Sequence, residues 1–272
     1  MVMRCKIAAT AVTGAAHQAA GQPGQDYVAK LQDRDRGIAA VALADGAGSV
    51  THAALGARIV VTGMLQLLRT DFHALLQDGG EAGAERMILY LQDRLDRHAR
   101  RQEISRGALA STLLFVATDG RDYLCGQVGD GRIARCNATG SAATTVFEPA
   151  KGEYFNQTVF VTDPDALDHL ELEWGAVDGI GGFVLMSDGA EESLYQRRAG
   201  TFAPALFKML GWLERRSEVA VRAALQRSLR DTLSQRTGDD LSLAVLRCAP
   251  APTAPPSVLQ PDADDPSTLR PL

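Results

Sequence analysis

Four short apolar runs constrain the fold of this chain more than anything else in it: Ile38–Ala44, Leu109–Ala117, Phe183–Met186 and Leu241–Leu246. They are rich in Val, Ile, Leu and Phe, and they read as buried strands, too apolar for the edge of a sheet. Tyr123–Val128, Ile133–Cys136 and Thr158–Val161 read as weaker strands. The opening M-V-M-R-C-K-I-A-A-T-A-V-T-G reads as a first strand, because no sustained apolar stretch follows its basic residues as it would in a signal peptide. Three other segments show helical spacing: Val61, Leu65, Leu68, Phe72 and Leu75; Met87, Leu91 and Leu95; and Val221, Leu225, Leu229 and Leu233. Gly79-Gly80 separates the first two, which predicts antiparallel helices joined by a short loop. The order is a strand, two helices, a run of strands, then a helix and a last strand. Adjacent helices followed by consecutive strands do not fit regular β-α-β alternation. The expectation is an α+β layered domain, antiparallel strands with helices on their outer faces.

Composition narrows the class. At 272 residues the chain buries enough surface to fold without disulfides or a metal. With 46% hydrophobic and 22% charged residues it is not collagen, coiled coil or disordered throughout. No apolar run approaches the roughly 20 residues of a membrane span, so no membrane partner is expected. A net charge of −5 argues against a nucleic-acid partner. The four cysteines, Cys5, Cys125, Cys136 and Cys248, form no C-x-x-C pair and read as reduced thiols of a cytoplasmic protein. Seven of the 11 prolines fall in Ala249–Leu272, with Asp262, Asp264 and Asp265. That divides the chain into a folded domain, 1–248, and a Pro-rich flexible tail, 249–272.

The chemistry is carried by aspartates at strand ends. Asp45 closes I-A-A-V-A-L-A-D-G-A-G-S, and Asp188 closes G-F-V-L-M-S-D-G. Asp239 opens G-D-D-L-S-L-A-V-L, Asp130 sits in G-Q-V-G-D-G-R, and Asp26 in G-Q-P-G-Q-D-Y-V. Taken singly, an Asp-Gly after a strand is a favoured hairpin turn. As a set they differ, because Asp45 and Asp188 follow strands too apolar for an edge and so stand at the rim of a buried sheet. Several carboxylates at one rim cannot all stay ionised without compensating charge. Arg132 is the one basic residue beside them in sequence, which points to a divalent cation. All-oxygen ligation favours Mg²⁺ or Mn²⁺ over Zn²⁺. Two such ions about 3.5–4 Å apart would activate a water for in-line attack on phosphorus.

The ordered set Q-D-Y-V, A-L-A-D-G-A-G-S, A-S-T-L-L-F-V, G-Q-V-G-D-G-R, L-M-S-D-G and G-D-D-L-S-L-A-V-L resembles the metal-dependent protein phosphatase family, type 2C, and its compact bacterial members in particular. The resemblance runs from about Ile7 to Arg247. It implies a four-layer α-β-β-α sandwich of two antiparallel sheets flanked by helices, with a dinuclear Mg²⁺/Mn²⁺ centre at one end. By that resemblance Asp45 bridges both ions, Gly46 offers its carbonyl, and Asp188 and Asp239 are the remaining carboxylate ligands. Asp26 holds a metal-associated water, Asp130 supports a third ion, and Asp239 takes the ligand place that Asp240 could contest. The implied reaction is hydrolysis of phosphoserine or phosphothreonine by metal-activated water. The implied partners are a phosphorylated protein substrate and a cognate Ser/Thr kinase.

The chain departs from the family pattern at four points. Gln25 precedes Asp26 where many members have Glu, and Ser49 ends the D-G-A-G-S motif where Gly is usual. Ala47 stands where eukaryotic members carry a His proposed as general acid. The N-terminal arginine that clamps phosphate in many members has no clear counterpart; His17 is a candidate substitute, against the plainer reading of a polar surface residue. The flap that shapes substrate access is expected to be reduced to about Phe147–Trp174. These departures motivate a second reading, a catalytically weak regulatory or binding module on the same fold. Ser111 and Thr112, inside an apolar run, read as packing hydroxyls, and the Arg-rich 94–106 stretch as a solvated helix face.

Overall fold

A computed structural model describes residues 3–147 and 158–250. The proposed tail therefore lies, from residue 251, outside the described residues, as do positions 148–157 of the expected flap. Two five-stranded antiparallel sheets stack face to face. One has the order β1 (Met3–Val12), β12 (Leu241–Pro250), β9 (Ile180–Met186), β6 (Arg132–Asn137), β7 (Ala143–Thr145). The other runs β2 (Tyr27–Asp33), β3 (Ile38–Ala44), β4 (Leu113–Thr118), β5 (Asp122–Val128), β8 (Glu171–Ala176). Helices α2 (Ala53–Asp78) and α3 (Gly80–Gln102) cover the second sheet. On the first sheet lie α4 (Asp188–Leu194), α5 (Ala205–Arg215) and α6 (Glu218–Asp231). A short α1 (Ala15–Ala19) follows β1, and a small hairpin, β10 (Tyr195–Gln196) with β11 (Thr201–Phe202), follows α4. The architecture is the expected α+β, four-layer α-β-β-α sandwich.

Side-chain alternation explains why the central strands are apolar throughout. In β3, Val41 and Leu43 face the other sheet, packing with Val116, Phe183, Leu185 and Leu246. Ala40, Ala42 and Ala44 face the helices, beneath Val60, Met64 and Leu68 of α2. Successive residues of a strand point to opposite faces, and here both faces are core. The same holds for β9, where Val184 and Met186 meet α5 and α6 while Phe183 and Leu185 enter the layer between the sheets. Among the described residues α2 is the one helix long and apolar enough by composition to cross a membrane. That qualifies the reading of no near-span apolar run; its apolar stripe is spent on the sheet and on α3.

Several expectations need correction. Thr158–Val161 is not a strand: it is a loop tied down by Val161 N–H donating to the Ser111 carbonyl at 2.9 Å. The Leu109–Ala117 run enters its strand only at Leu113, because Arg106–Leu109 forms a 3₁₀ turn under the start of α2. Leu233 likewise belongs to a separate 3₁₀ turn after α6. A second helix, α5, precedes α6. Its buried Leu206, Met209, Leu210 and Leu213 have helical spacing that the sequence displays, with Gly211 interrupting the run.

Candidate metal centre

Strand register places the aspartates in two groups. Tyr27 pairs with Ala44, so Asp26 and Asp45, one residue further out on β2 and β3, stand side by side. In the other sheet Leu243 pairs with Met186, and Ser187 N–H donates to the Ser242 carbonyl at 3.1 Å. Asp188 therefore leaves β9 beside the point where Asp239-Asp240 enters β12. The groups come from different sheets and meet at one end of the sandwich, where the charges of Asp26, Asp188 and Asp239 all act on Asp45. None of the three Asp-Gly pairs that carry a candidate ligand makes a hairpin turn. Asp45-Gly46 leads toward α2, Asp130-Gly131 crosses from one sheet to the other, and Asp188-Gly189 opens α4.

Burial, and then the adjacent Asp26 charge, push the Asp45 carboxyl up to about 10. Burial raises Asp26 to about 6, and burial with the charges of Asp130 and Asp239 raises Asp188 to about 6. Neither buried oxygen of Asp26 has a donor in hydrogen-bond geometry, although the Ser187 and Ser242 hydroxyls lie near enough to favour its ionised form. Such a rim carries more carboxylate than its surroundings neutralise. Among the described residues no three His, Cys, Asp or Glu side chains close into a ready-made cage. The donors are oxygens that would hold an ion retaining several waters, which suits Mg²⁺ or Mn²⁺. On the chemistry of these donors and the orphaned Asp26 oxygens, the residues fit a divalent ion.

The backbone around Asp45 is held by a residue that reads in sequence as simple packing. Thr112 Oγ1 accepts the Asp45 N–H at 2.9 Å, and Thr112 N–H donates to the Asp45 carbonyl at 2.8 Å. Gly46 bridges Ser111 through its neighbours, with Ala47 N–H donating to the Ala110 carbonyl at 3.0 Å, so that the Gly46 carbonyl is not spent. A Cβ at Gly46 would lie 2.8 Å from the carbonyl carbon and the Cβ of Ala53 at the start of α2. Only glycine fits there.

Asp239 and Asp240 divide cleanly. Asp240 is 1% exposed. It accepts the Gly14 N–H at 2.7 Å and the Gln25 N–H at 2.5 Å, tying the segment before β2 to β12. Asp239 is exposed, with Oδ1 accepting the Asp240 N–H at 2.8 Å. His17 is no free surface residue: its Nδ1 lies 3.1 Å from Asp240 Oδ1, so this ring nitrogen faces a structural carboxylate and not an open site. Asp130, exposed on the β5–β6 crossing, accepts the Thr158 hydroxyl at 2.6 Å and adds its charge to Asp188.

One buried ion cluster was not foreseen. Glu191, one turn into α4 from Asp188, is 1% exposed. Its Oε1 accepts Arg132 Nη2 at 3.0 Å and Arg197 Nε at 2.9 Å. The Arg132 guanidinium stacks on the Tyr195 ring at 4.0 Å. The i, i+3 spacing of Asp188 and Glu191 at the start of a helix was the available signal.

Comparison with known proteins gives a consistent result. The family described as Protein phosphatase 2C matches residues 13–234. Serine/threonine-protein phosphatase 3 of Escherichia coli (strain K12) is 30% identical over 178 residues, covering 62% of this chain and 67% of that protein. The catalytic domain of serine/threonine protein phosphatase PstP, in complex with two manganese ions, superposes with a TM-score of 0.60 at 16% identity, over 92% of this chain and 100% of that one. Serine/threonine phosphatase Stp1 from Staphylococcus aureus gives 0.57 at 11% identity, over 91% and 95%. The structural likenesses establish the shared fold.

Proposed function

The chain belongs to the protein phosphatase 2C family and is a metal-dependent serine/threonine protein phosphatase, for which we propose the following division of labour among its residues. Asp45, Asp188, Asp239 and the Gly46 carbonyl hold two divalent ions, Mg²⁺ or Mn²⁺, with Asp130 available to a third. When bound, the ions neutralise the carboxylate rim and acidify a water for attack on phosphorus. Asp26, beside Asp45 and short of donors, orients a water at the rim. Thr112 fixes the Asp45 main chain so that its carboxylate keeps one position. Ala47 offers no proton, so the leaving alkoxide takes one from solvent.

Convergence of aspartates from two separate sheets onto Asp45 carries this reading. It is supported by the manganese-bound relative, whose two ions we take as the pattern for this chain. A phosphorylated protein is the substrate class, and a Ser/Thr kinase producing it is the expected counterpart. We assign the cytoplasm as its compartment on its four scattered cysteines, none of them in a C-x-x-C pair.

The deciding experiment is hydrolysis of a phosphothreonine peptide with and without Mn²⁺. Wild type should turn over only with metal, and Asp45→Ala and Asp188→Ala should each lose about 100-fold or more, in line with removing a group that stabilises transition-state charge. Unchanged Mn²⁺-dependent activity in both variants would refute the assignment of the centre. Metal-bound wild type that is inert on every phosphopeptide would point to the binding module instead.

A further inference from the structure

The cluster around Glu191 carries more cation than it can neutralise. One carboxylate serves two guanidiniums, Arg132 at 3.0 Å and Arg197 at 2.9 Å, both on Oε1. Arg132 is 6% exposed and spends a second donor on the Thr145 hydroxyl at 3.1 Å. Arg197 is different: its side chain is 67% exposed. It bonds Glu191 through Nε, which leaves the two terminal nitrogens of its fork without another partner among the described residues. A guanidinium fork of this kind matches the paired oxygens of a phosphate.

Its position is set by three anchors. Glu191 lies on the first turn of α4, three residues past Asp188. Arg132 pairs in register with Met186, two residues before Asp188, and follows Asp130 by two. Arg197 is the first residue of the turn joining β10 to β11, a hairpin pinned by the Tyr195–Phe202 ring contact at 4.8 Å and by Arg132 over Tyr195 at 4.0 Å. The surplus positive charge therefore sits beside the carboxylate rim, and the charges of Asp188 and Asp130 act on it directly.

Resting on the phosphatase reading above, we propose that Arg197 binds the phosphoryl group of the substrate, with Glu191 as the positioning residue that aims it and Arg132 as the buried support of Glu191. It supplies, from the hairpin after α4, the phosphate-contacting cation missing from the N-terminal segment. His17 does not supply it, since its Nδ1 faces Asp240.

The test uses the full-length protein saturated with Mn²⁺, comparing wild type, Arg197→Ala and Arg197→Lys. Arg197→Ala should raise KM for a phosphothreonine peptide about tenfold or more while kcat stays within about threefold, as expected for loss of a charge-assisted contact. The dissociation constant for inorganic phosphate, by titration calorimetry, should rise in parallel. Affinity for Mn²⁺ should stay within about twofold, and Arg197→Lys should recover part of the loss. Unchanged KM and phosphate affinity in Arg197→Ala would overturn the proposal. So would a fall in Mn²⁺ affinity that tracks the loss, since Arg197 would then be a structural counter-ion of the rim. A wild type that binds phosphate without hydrolysing the peptide would count against the phosphatase reading alone, and the phosphate titration would still decide the role of Arg197.

Discussion

Thr112 separates two roles that a sequence cannot distinguish. Inside an apolar run a threonine is a packing group unless something opposite needs its oxygen, and what lies opposite is a fact of sheet register. Here it is the Asp45 N–H at 2.9 Å. Thr112→Val keeps the shape and removes the acceptor, so an N–H beside the centre goes unpaired at a cost of about 1–3 kcal/mol. The expected result is a fall in Tm of about 2–10 °C with kcat on a phosphopeptide down about tenfold or more, as a displaced ligand would give. Thr112→Ser should behave as wild type; equal activity of the Val variant would show that Asp45 is held by other contacts. The aspartates themselves were legible because they are chemically odd where they occur, at the ends of apolar runs. Glu191 and Arg197 were not, because their meaning depends on Arg132, 59 residues before Glu191, sharing the same buried Glu191 oxygen.

Elements were legible in proportion to how uniform their surroundings are. β3 and β9, core on both faces, appear as unbroken apolar runs, and α2 and α3 as stripes split at Gly79-Gly80. β2 was missed because it is an edge strand, with Tyr27, Ala29 and Leu31 against the helix core while Lys30, on the other face, reaches the Ile7 carbonyl and Glu218. The loop at Thr158–Val161 has strand-like residues but no partner strand. The seat of α2 gives a test at this scale. A Cβ at Gly56 would stand 1.9 Å from the Leu109 carbonyl oxygen and 2.5 Å from its carbon. Gly56→Ala gains about 1 kcal/mol of helix propensity, but a clash of the new methyl with the Leu109 main chain costs about 1–3 kcal/mol or more. Packing wins, and Tm should drop by several degrees. A rise in Tm would mean that the helix is free to slide.

At the level of the whole molecule, the raised carboxyls couple stability to pH and metal. The unfolded chain binds these protons with a pKa near 3.9, whereas folded Asp26 and Asp188 are near 6 and Asp45 near 10. The folded, metal-free protein thus holds more protons between those values, and these three groups cost it stability as pH rises from about 4. Asp33, Asp119 and Glu218 are lowered by Arg69, by backbone N–H groups and by Lys30 respectively. Their contribution is lost only on acidification below the ordinary carboxylate range, outside this window. Divalent metal replaces the protons. The stabilisation by Mn²⁺ at one fixed concentration, 100 times its Kd at pH 8, is about 2.7 kcal/mol there, or about 5–10 °C in Tm, and should shrink at pH 5.5, where protons compete for the carboxylates. Scanning calorimetry with Mn²⁺ against chelator at both values measures it, and an equal or reversed gain would mean that the carboxylates do not hold the metal.

β1 and β12 pair along their whole length, from Met3 opposite Pro250 to Val12 opposite Leu241. Asp239 immediately precedes β12, and Asp240 ties the Gly14–Gln25 segment to it. During synthesis on a ribosome, then, the first strand waits exposed for its neighbour until almost the entire domain has emerged. Asp239, the last of the proposed metal ligands, arrives with that neighbour. On the proposed ligand set, a nascent chain of this architecture stays catalytically silent until β12 closes the sheet, and gains its activity in that one step.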